Sequence, residues 1–218
     1  MHPSLLVRTL LRLVPSLFVL ACVSVEVNAS NRPGSPALDE PLSGSTRAQT
    51  LRDPGTLTAE GWKVTSEDSQ LRWDLGRPYQ KGTIEFEVKG ELNQEDKKVL
   101  FALWETTSGG KQSEPRLQVR VQDEGMLLVI LGNGVKALEK HTGPLAWPAK
   151  DQWVHIKVTF DTQGGISRMW RDGVLVRHGK LRGNVPGLRY AFLGQDNYHN
   201  YKSIVGLVFR NLRIYDLQ

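Results

Sequence analysis

The chain has 218 residues and 28 lysines and arginines against 23 acids, for a formal net charge of +5. Its 21 glycines, 11 prolines and single cysteine exclude a coiled coil, a disulfide-stapled mini-domain and a cysteine-based zinc site. The positive surplus is modest and forms no lysine-rich run, so it favours acidic partners weakly and gives no argument for nucleic acid.

Residues 1–29 differ in kind from the rest. MHPSLLVRTLLR carries Arg8 and Arg12 and no acid, and LVPSLFVLACVSV is an apolar run of leader length. It is too short for a comfortable membrane span and Pro15 interrupts it. Val27-Asn28-Ala29 follows, with small residues where a signal peptidase reads. The pattern predicts a signal peptide over 1–29 and a secreted, periplasmic or extracellular protein. Val19-Leu20-Ala21-Cys22 also resembles a bacterial lipobox, so a lipoprotein attached to a membrane through Cys22 stays open beside soluble export. Losing Arg8, Arg12 and Glu26 with the leader lowers the net charge by one.

Residues 30–55, SNRPGSPALDEPLSGSTRAQTLRDPG, are rich in proline, glycine and serine and lack apolar periodicity. They predict a flexible tether, with a first strand at Pro41-Leu42 or later.

Residues 56–218 predict one domain made of short strands. QLRWDL places Leu71, Trp73 and Leu75 on one face and Arg72 and Asp74 on the other. TIEFEVKG turns Ile84, Phe86 and Val88 one way and Thr83, Glu85, Glu87 and Lys89 the other. VLFALWE is apolar on both faces, as a central strand is, and its Trp104 reads as core, like Trp73. RLQVRVQ turns Leu117, Val119 and Val121 inward, and Gln118 and Arg120 outward. MLLVIL is a second apolar run. WVHIKVTFD sets Val154, Ile156, Val158 and Phe160 against Trp153, His155, Lys157 and Thr159. Tight-turn residues separate many of these runs, among them Gln163-Gly164-Gly165 and Arg171-Asp172-Gly173, and each group supplies a residue tolerant of positive φ. The sum is an all-β chain forming a two-sheet antiparallel jelly-roll sandwich.

The order GTIEFEVKG, DQWVHIKVTFD, SRMWRDGVLV, YAFLGQDN, GLVFRNLRIYDL resembles the laminin G-like branch of the concanavalin A-like lectin/glucanase superfamily, over roughly residues 60–218. The resemblance implies a lectin-like sandwich in which Asp172-Gly173 turns a hairpin, and it implies a carbohydrate partner. It does not carry glucanase chemistry across: that branch has Glu-x-Asp-x-x-Glu where this chain has Glu85, Glu87 and Gly90. Glu85 and Glu87 read as solvated strand-face residues. The paired motifs of the alginate lyase branch are not reproduced either.

A sugar site needs flat aromatics to stack on rings and planar polar groups to bind hydroxyls or carboxylates. Arg168 and Trp170 share a strand face by period-two spacing, although Trp170 also suits the core, the commoner place for a tryptophan. Arg120, Lys157 and Arg168 are read as one positive outward sheet face. Trp147 sits in the proline-flanked loop GPLAWPAKD. QDNYHNYKS crowds Asn197, Tyr198, His199 and Tyr201 into one connection, and a polar turn capping its own backbone is the alternative there. Trp153 and His155 are expected to pack, with a buried hydrogen bond.

The reading is therefore an exported, non-catalytic carbohydrate-binding or surface-interaction module, with an acidic glycan or an envelope component as partner. The alternative is a polysaccharide lyase or glycoside hydrolase on the same sandwich. No cofactor is called for. A structural calcium is compatible with the fold, with oxygens from Asp161, Asp196 and Asn197.

Overall fold

The computed structural model describes residues 34–50, 53–91, 98–105, 117–122, 126–131, 138–141, 150–180, 187–194 and 204–216, all within the unit Pro33–Gln218. They hold fifteen strands and no helix. In chain order these are β1 (Leu38–Glu40), β2 (Gln49–Thr50), β3 (Thr56–Leu57), β4 (Trp62–Lys63), β5 (Gln70–Tyr79), β6 (Lys81–Lys89), β7 (Lys98–Trp104) and β8 (Leu117–Gln122), then β9 (Met126–Leu131), β10 (Leu138–His141), β11 (Val154–Asp161), β12 (Ile166–Arg171), β13 (Val174–Lys180), β14 (Leu188–Gly194) and β15 (Val208–Asp216).

They pair into two antiparallel sheets. The larger runs β10-β13-β12-β11-β6-β15-β4-β3, with β1 also on β15; the smaller runs β2-β5-β14-β7-β8-β9. The alternation seen in the sequence is the alternation of burial. Ile84, Phe86 and Val88 of β6, Val154, Ile156, Val158 and Phe160 of β11, and Leu71, Trp73 and Leu75 of β5 all enter the core between the sheets. Aromatic rings fill its centre: Phe86 lies 5.9 Å from Phe101 and 6.1 Å from Phe209, and Phe209 lies 5.8 Å from Trp62. Ring pairs at these separations add to the area each side chain buries.

The backbone approaches itself closely beside Trp62. Gly61 has φ of 151°, and a Cβ there would stand 2.3 Å from the carbonyl oxygen of Phe209. No other residue type fits without moving β15.

One sequence expectation is corrected here. The first strand lies earlier than Pro41-Leu42: Leu38–Glu40 already pair with Ile214, Arg213 and Leu212 of β15. Leu38 and Leu42 are buried, so part of the stretch read as a tether is sheet. Tertiary pairing overrides a linker-like composition there. Trp104 is core, as its apolar run predicts, but it does not join the cluster between the sheets. With Val99, Ala102, Tyr190 and Phe192 it forms a second cluster, while Phe101, Leu103, Ala191 and Leu193 on the same two strands enter the main core. Strand alternation thus puts the Trp104 cluster on the opposite face of the smaller sheet.

Candidate functional site

The hairpin β12–β13 turns at Asp172-Gly173, with Arg171 opposite Val174. Both turn residues have positive φ, 49° and 81°, the type I′ geometry whose twist matches antiparallel strands. Gly173 accepts this freely. Asp172 is held to it by the start of β11: its amide donates to the His155 carbonyl at 2.9 Å, and its Oδ1 accepts the His155 amide at 2.9 Å. The turn is thereby fixed to the sheet on which the outward side chains stand.

Register then collects those side chains. Lys157 lies opposite Trp170, Thr159 opposite Arg168, and Trp170 opposite Leu175. Met169 points into the core, so its neighbours point out: Arg168 is exposed and Trp170 half-buried. The core reading of Trp170 is corrected on this point, because only one of two successive strand residues can face inward and Met169 does. The pairing of β12 with β13 shifts between Met169 and Trp170, a bulge of the kind that re-aims a side chain. Beyond the turn, Val174 and Leu175 are 63% and 38% exposed. Composition gave no signal for these two, since their run reads as ordinary strand.

The charges around this patch are mostly matched. Lys157 Nζ lies 3.3 Å from Glu85 Oε1. Glu87 accepts from Arg210 and, at 3.2 Å, from Asn211. Arg213 Nε reaches Asp39 Oδ1 at 3.2 Å, and this hydrogen bond raises the Arg213 pKa further. Glu85 and Glu87 are thus half-buried and ion-paired, contrary to the solvated glutamates expected from sequence. Trp153 is half-buried, with the Arg210 guanidinium 3.8 Å and the Lys89 ammonium 5.0 Å from its ring centre, an arrangement the ring's negative face favours. His155 is half-buried and engages Asp172 through its backbone. Among the described residues, no hydrogen bond or ion pair engages the Arg168 guanidinium.

Arg120 is not part of this face. It stands on β8 in the smaller sheet, where its guanidinium donates to Gln118, whereas Lys157 and Arg168 stand on β11 and β12 of the larger one. Period two tells which side of a strand a residue takes but not which sheet the strand joins. Trp147, Asn197, Tyr198, His199 and Tyr201 lie outside the described residues, as does Asp196. Asp161 is engaged by its own turn: Oδ1 accepts the amides of Gly164 at 2.7 Å and Gln163 at 3.0 Å, and Oδ2 lies 3.3 Å from Lys81 Nζ. The Gly164 amide, before the Lys81 contact, holds its carboxyl below the usual carboxylate range. Among the described residues no three of His, Cys, Asp and Glu gather as a metal set.

A family model described as the concanavalin A-like lectin/glucanases superfamily matches residues 64–217. The chain belongs to this superfamily. The model spans the strands from β5 onward, including the hairpin and its outward face. No curated protein matches the chain closely enough to be counted a relative. Among solved structures, the concanavalin A-like chain is similar to the sialidase of Trypanosoma rangeli, with a TM-score of 0.61 and 15% identity over 85% of this chain and 31% of that one. It is similar to the botulinum neurotoxin serotype D binding domain, with a TM-score of 0.54 and 14% identity over 85% of this chain and 50% of that one. It is also similar to the globular domain of Trypanosoma cruzi calreticulin, with a TM-score of 0.52 and 12% identity over 83% of this chain and 84% of that one. At these identities the likeness is one of fold. The chain spans about a third of the sialidase it matches.

Proposed function

We propose that the protein is an exported, non-catalytic glycan-binding module, and that it binds through the outward face of the β11–β12–β13 hairpin region. The observation that carries this is the placement of Arg168, Trp170 and Lys157 on one rigid sheet face. Trp170 offers a partly open ring for the apolar face of a sugar, and Arg168 offers a planar fork of donors for a carboxylate. Membership in a lectin-containing superfamily supports the reading. So does the fold shared with a sialidase described in complex with sialic acid, an acidic sugar. Glu85 and Glu87, the two neighbouring carboxylates of this face, are engaged by Lys157 and by Arg210, and the non-catalytic reading assigns them to holding the sheet face together and not to glycoside hydrolysis, which needs two carboxyl groups flanking the scissile bond.

Titration with acidic and neutral oligosaccharides tests the proposal. The native protein should bind an acidic set, Trp170→Ala should weaken binding at least tenfold, and Arg168→Ala should weaken it while flattening its salt dependence. Unchanged affinity in both variants would remove the hairpin from the site. Turnover of the polysaccharide, abolished by Tyr198→Phe, would replace the module by a lyase.

A further inference from the structure

Among the described residues, the exposed large apolar side chains are Val174, Leu175 and Val205. Two of these three are consecutive, at the tip of the β12–β13 hairpin. Single apolar residues scattered over a surface are ordinary, whereas adjacent ones on an exposed turn call for a contact. The residues from Asp172 to Leu175 are exposed in succession, so the tip stands clear of the core. It is also held from folding over its apolar residues, because Asp172 exchanges two hydrogen bonds with the His155 backbone, each at 2.9 Å.

Register orders this hairpin by polarity. Val174 stands opposite Arg171 at the turn, Leu175 opposite Trp170 in the next pair, and Arg168 opposite His178 beyond the bulge. From Arg171 to Arg168 the strand rises about 10 Å. Over that length, exposed apolar side chains give way to a half-buried tryptophan and then to an exposed arginine. A bilayer surface offers the complementary order: hydrocarbon, then the headgroup level where tryptophan settles, then the anionic aqueous layer. Asp172 and Glu85 do not oppose such a surface with bare charge, since Asp172 Oδ2 lies 3.4 Å from Arg171 Nε and Glu85 Oε1 lies 3.3 Å from Lys157 Nζ. Two apolar side chains fall far short of the roughly 800 Å² that each partner buries in a stable protein interface. A lipid surface sets no such requirement.

We propose that the acidic glycan is borne on a lipid bilayer: Trp170 and Arg168 hold the sugar at headgroup level while Val174 and Leu175 enter the bilayer interface beneath it. The sugar half rests on the glycan-binding reading. The lipid half rests on the tip, whose two apolar residues that reading leaves without a task. Both contacts stand on one rigid hairpin, so once the sugar is held the tip meets the bilayer as an intramolecular step, and the two contacts reinforce each other.

The probe is glucuronosyl diacylglycerol in phosphatidylcholine vesicles, with methyl glucuronide as the same headgroup free in solution. Plain phosphatidylcholine vesicles are the blank, and vesicles of equal charge made with phosphatidylglycerol are the anionic surface without sugar. An apolar leader retained on the purified chain acts alike on every vesicle and every variant, so the differences carry the result. Glycolipid vesicles should bind at least tenfold more tightly, per headgroup, than methyl glucuronide, and more tightly than the phosphatidylglycerol vesicles. Val174→Ser, a change at an exposed position, should weaken vesicle binding by about threefold or more and leave methyl glucuronide binding at its native value. Val174→Trp should tighten vesicle binding, and Arg168→Ala should weaken both. Equal affinity for the free and bilayer-borne headgroup would overturn the proposal while leaving the glycan-binding reading standing. So would native vesicle binding by both Val174 variants, or phosphatidylglycerol vesicles bound as tightly as glycolipid ones. Binding of neither form of glucuronide would overturn it too, and the oligosaccharide titrations then decide whether the glycan-binding reading falls with it.

Discussion

The outward face of β6, β11 and β15 and the outward face of β7 and β14 are both built from side chains that alternation turns away from the core, yet they are opposite in character. On the larger sheet, Glu85, Glu87, Lys157, Arg210 and Arg213 stand half-buried or exposed in matched pairs. On the smaller sheet, Val99, Ala102, Trp104, Tyr190 and Phe192 are buried, with Trp104 only 4.8 Å from Phe192 between ring centres. The larger sheet's outer surface is hydrated and charge-matched. Over β7 and β14 the smaller sheet's is a second hydrophobic cluster, contributing to stability in the way an interior does.

The contrast is sharpest in two tryptophans. Trp104→Ala should cost about 3–5 kcal/mol, the usual price of emptying a buried aromatic site. Trp170→Ala on the hairpin face should cost about 1 kcal/mol, as expected for a half-buried position. Equilibrium denaturation of both variants measures the difference. Equal losses would mean that the two outward faces are alike and that Trp170 is a packing residue.

The same contrast marks what could be read from the chain. TIEFEVKG and WVHIKVTFD alternate because one side meets the core and the other meets water, so burial at every position from Val154 to Phe160 follows from the letters. VLFALW gives no such cue, since both of its faces are covered, and the side Trp104 takes is decided by pairing with Tyr190. Arg168 and Trp170 are legibly on one face by their spacing. Arg120 is equally outward by spacing, but its sheet is set by pairing with β7, which no local pattern encodes. The cleft lined by Ala37, Leu38, Arg47, Gln49, Arg72, Trp73 and Asp74 was invisible for the same reason: those residues meet only through the arrangement of β1, β2 and β5.

A smaller effect tests whether the matched charges on the larger sheet act as pairs. A double-mutant cycle on Glu87→Ala and Arg210→Ala should give a coupling energy of about 1 kcal/mol, the upper part of the range for surface ion pairs, because Arg210 is also stacked on Trp153 and so is already ordered. Truncating Trp153 should lower that coupling. A coupling indistinguishable from zero would make the ladder a solvated surface and return Glu87 to the unpaired reading.

The smallest expected effect compares one carboxylate from each sheet. Asp74, on β5, is held below the usual carboxylate range chiefly by the hydrogen bonds from Arg189; Asp161, on β11, is held there chiefly by the Gly164 amide. In both cases the folded chain gives up its proton more readily than the unfolded chain. The stabilisation is therefore complete above the ordinary aspartate pKa of about 4 and is lost as pH falls below it toward the depressed folded values. Removing either titration should make stability fall less steeply on acidification. The two should part at neutral pH. An asparagine at 161 keeps an oxygen for the Gly164 and Gln163 amides, so Asp161→Asn should change little and respond weakly to salt. An asparagine at 74 cannot match the Arg189 charge, so Asp74→Asn should lose stability at low salt, and the gap to the native protein should close near 1 M, where the screening length is about 3 Å. Denaturation midpoints across pH and salt separate the cases. Acid profiles parallel to the native one, or a salt-independent Asp74→Asn deficit, would show that neither carboxylate is stabilised by the partner its geometry indicates.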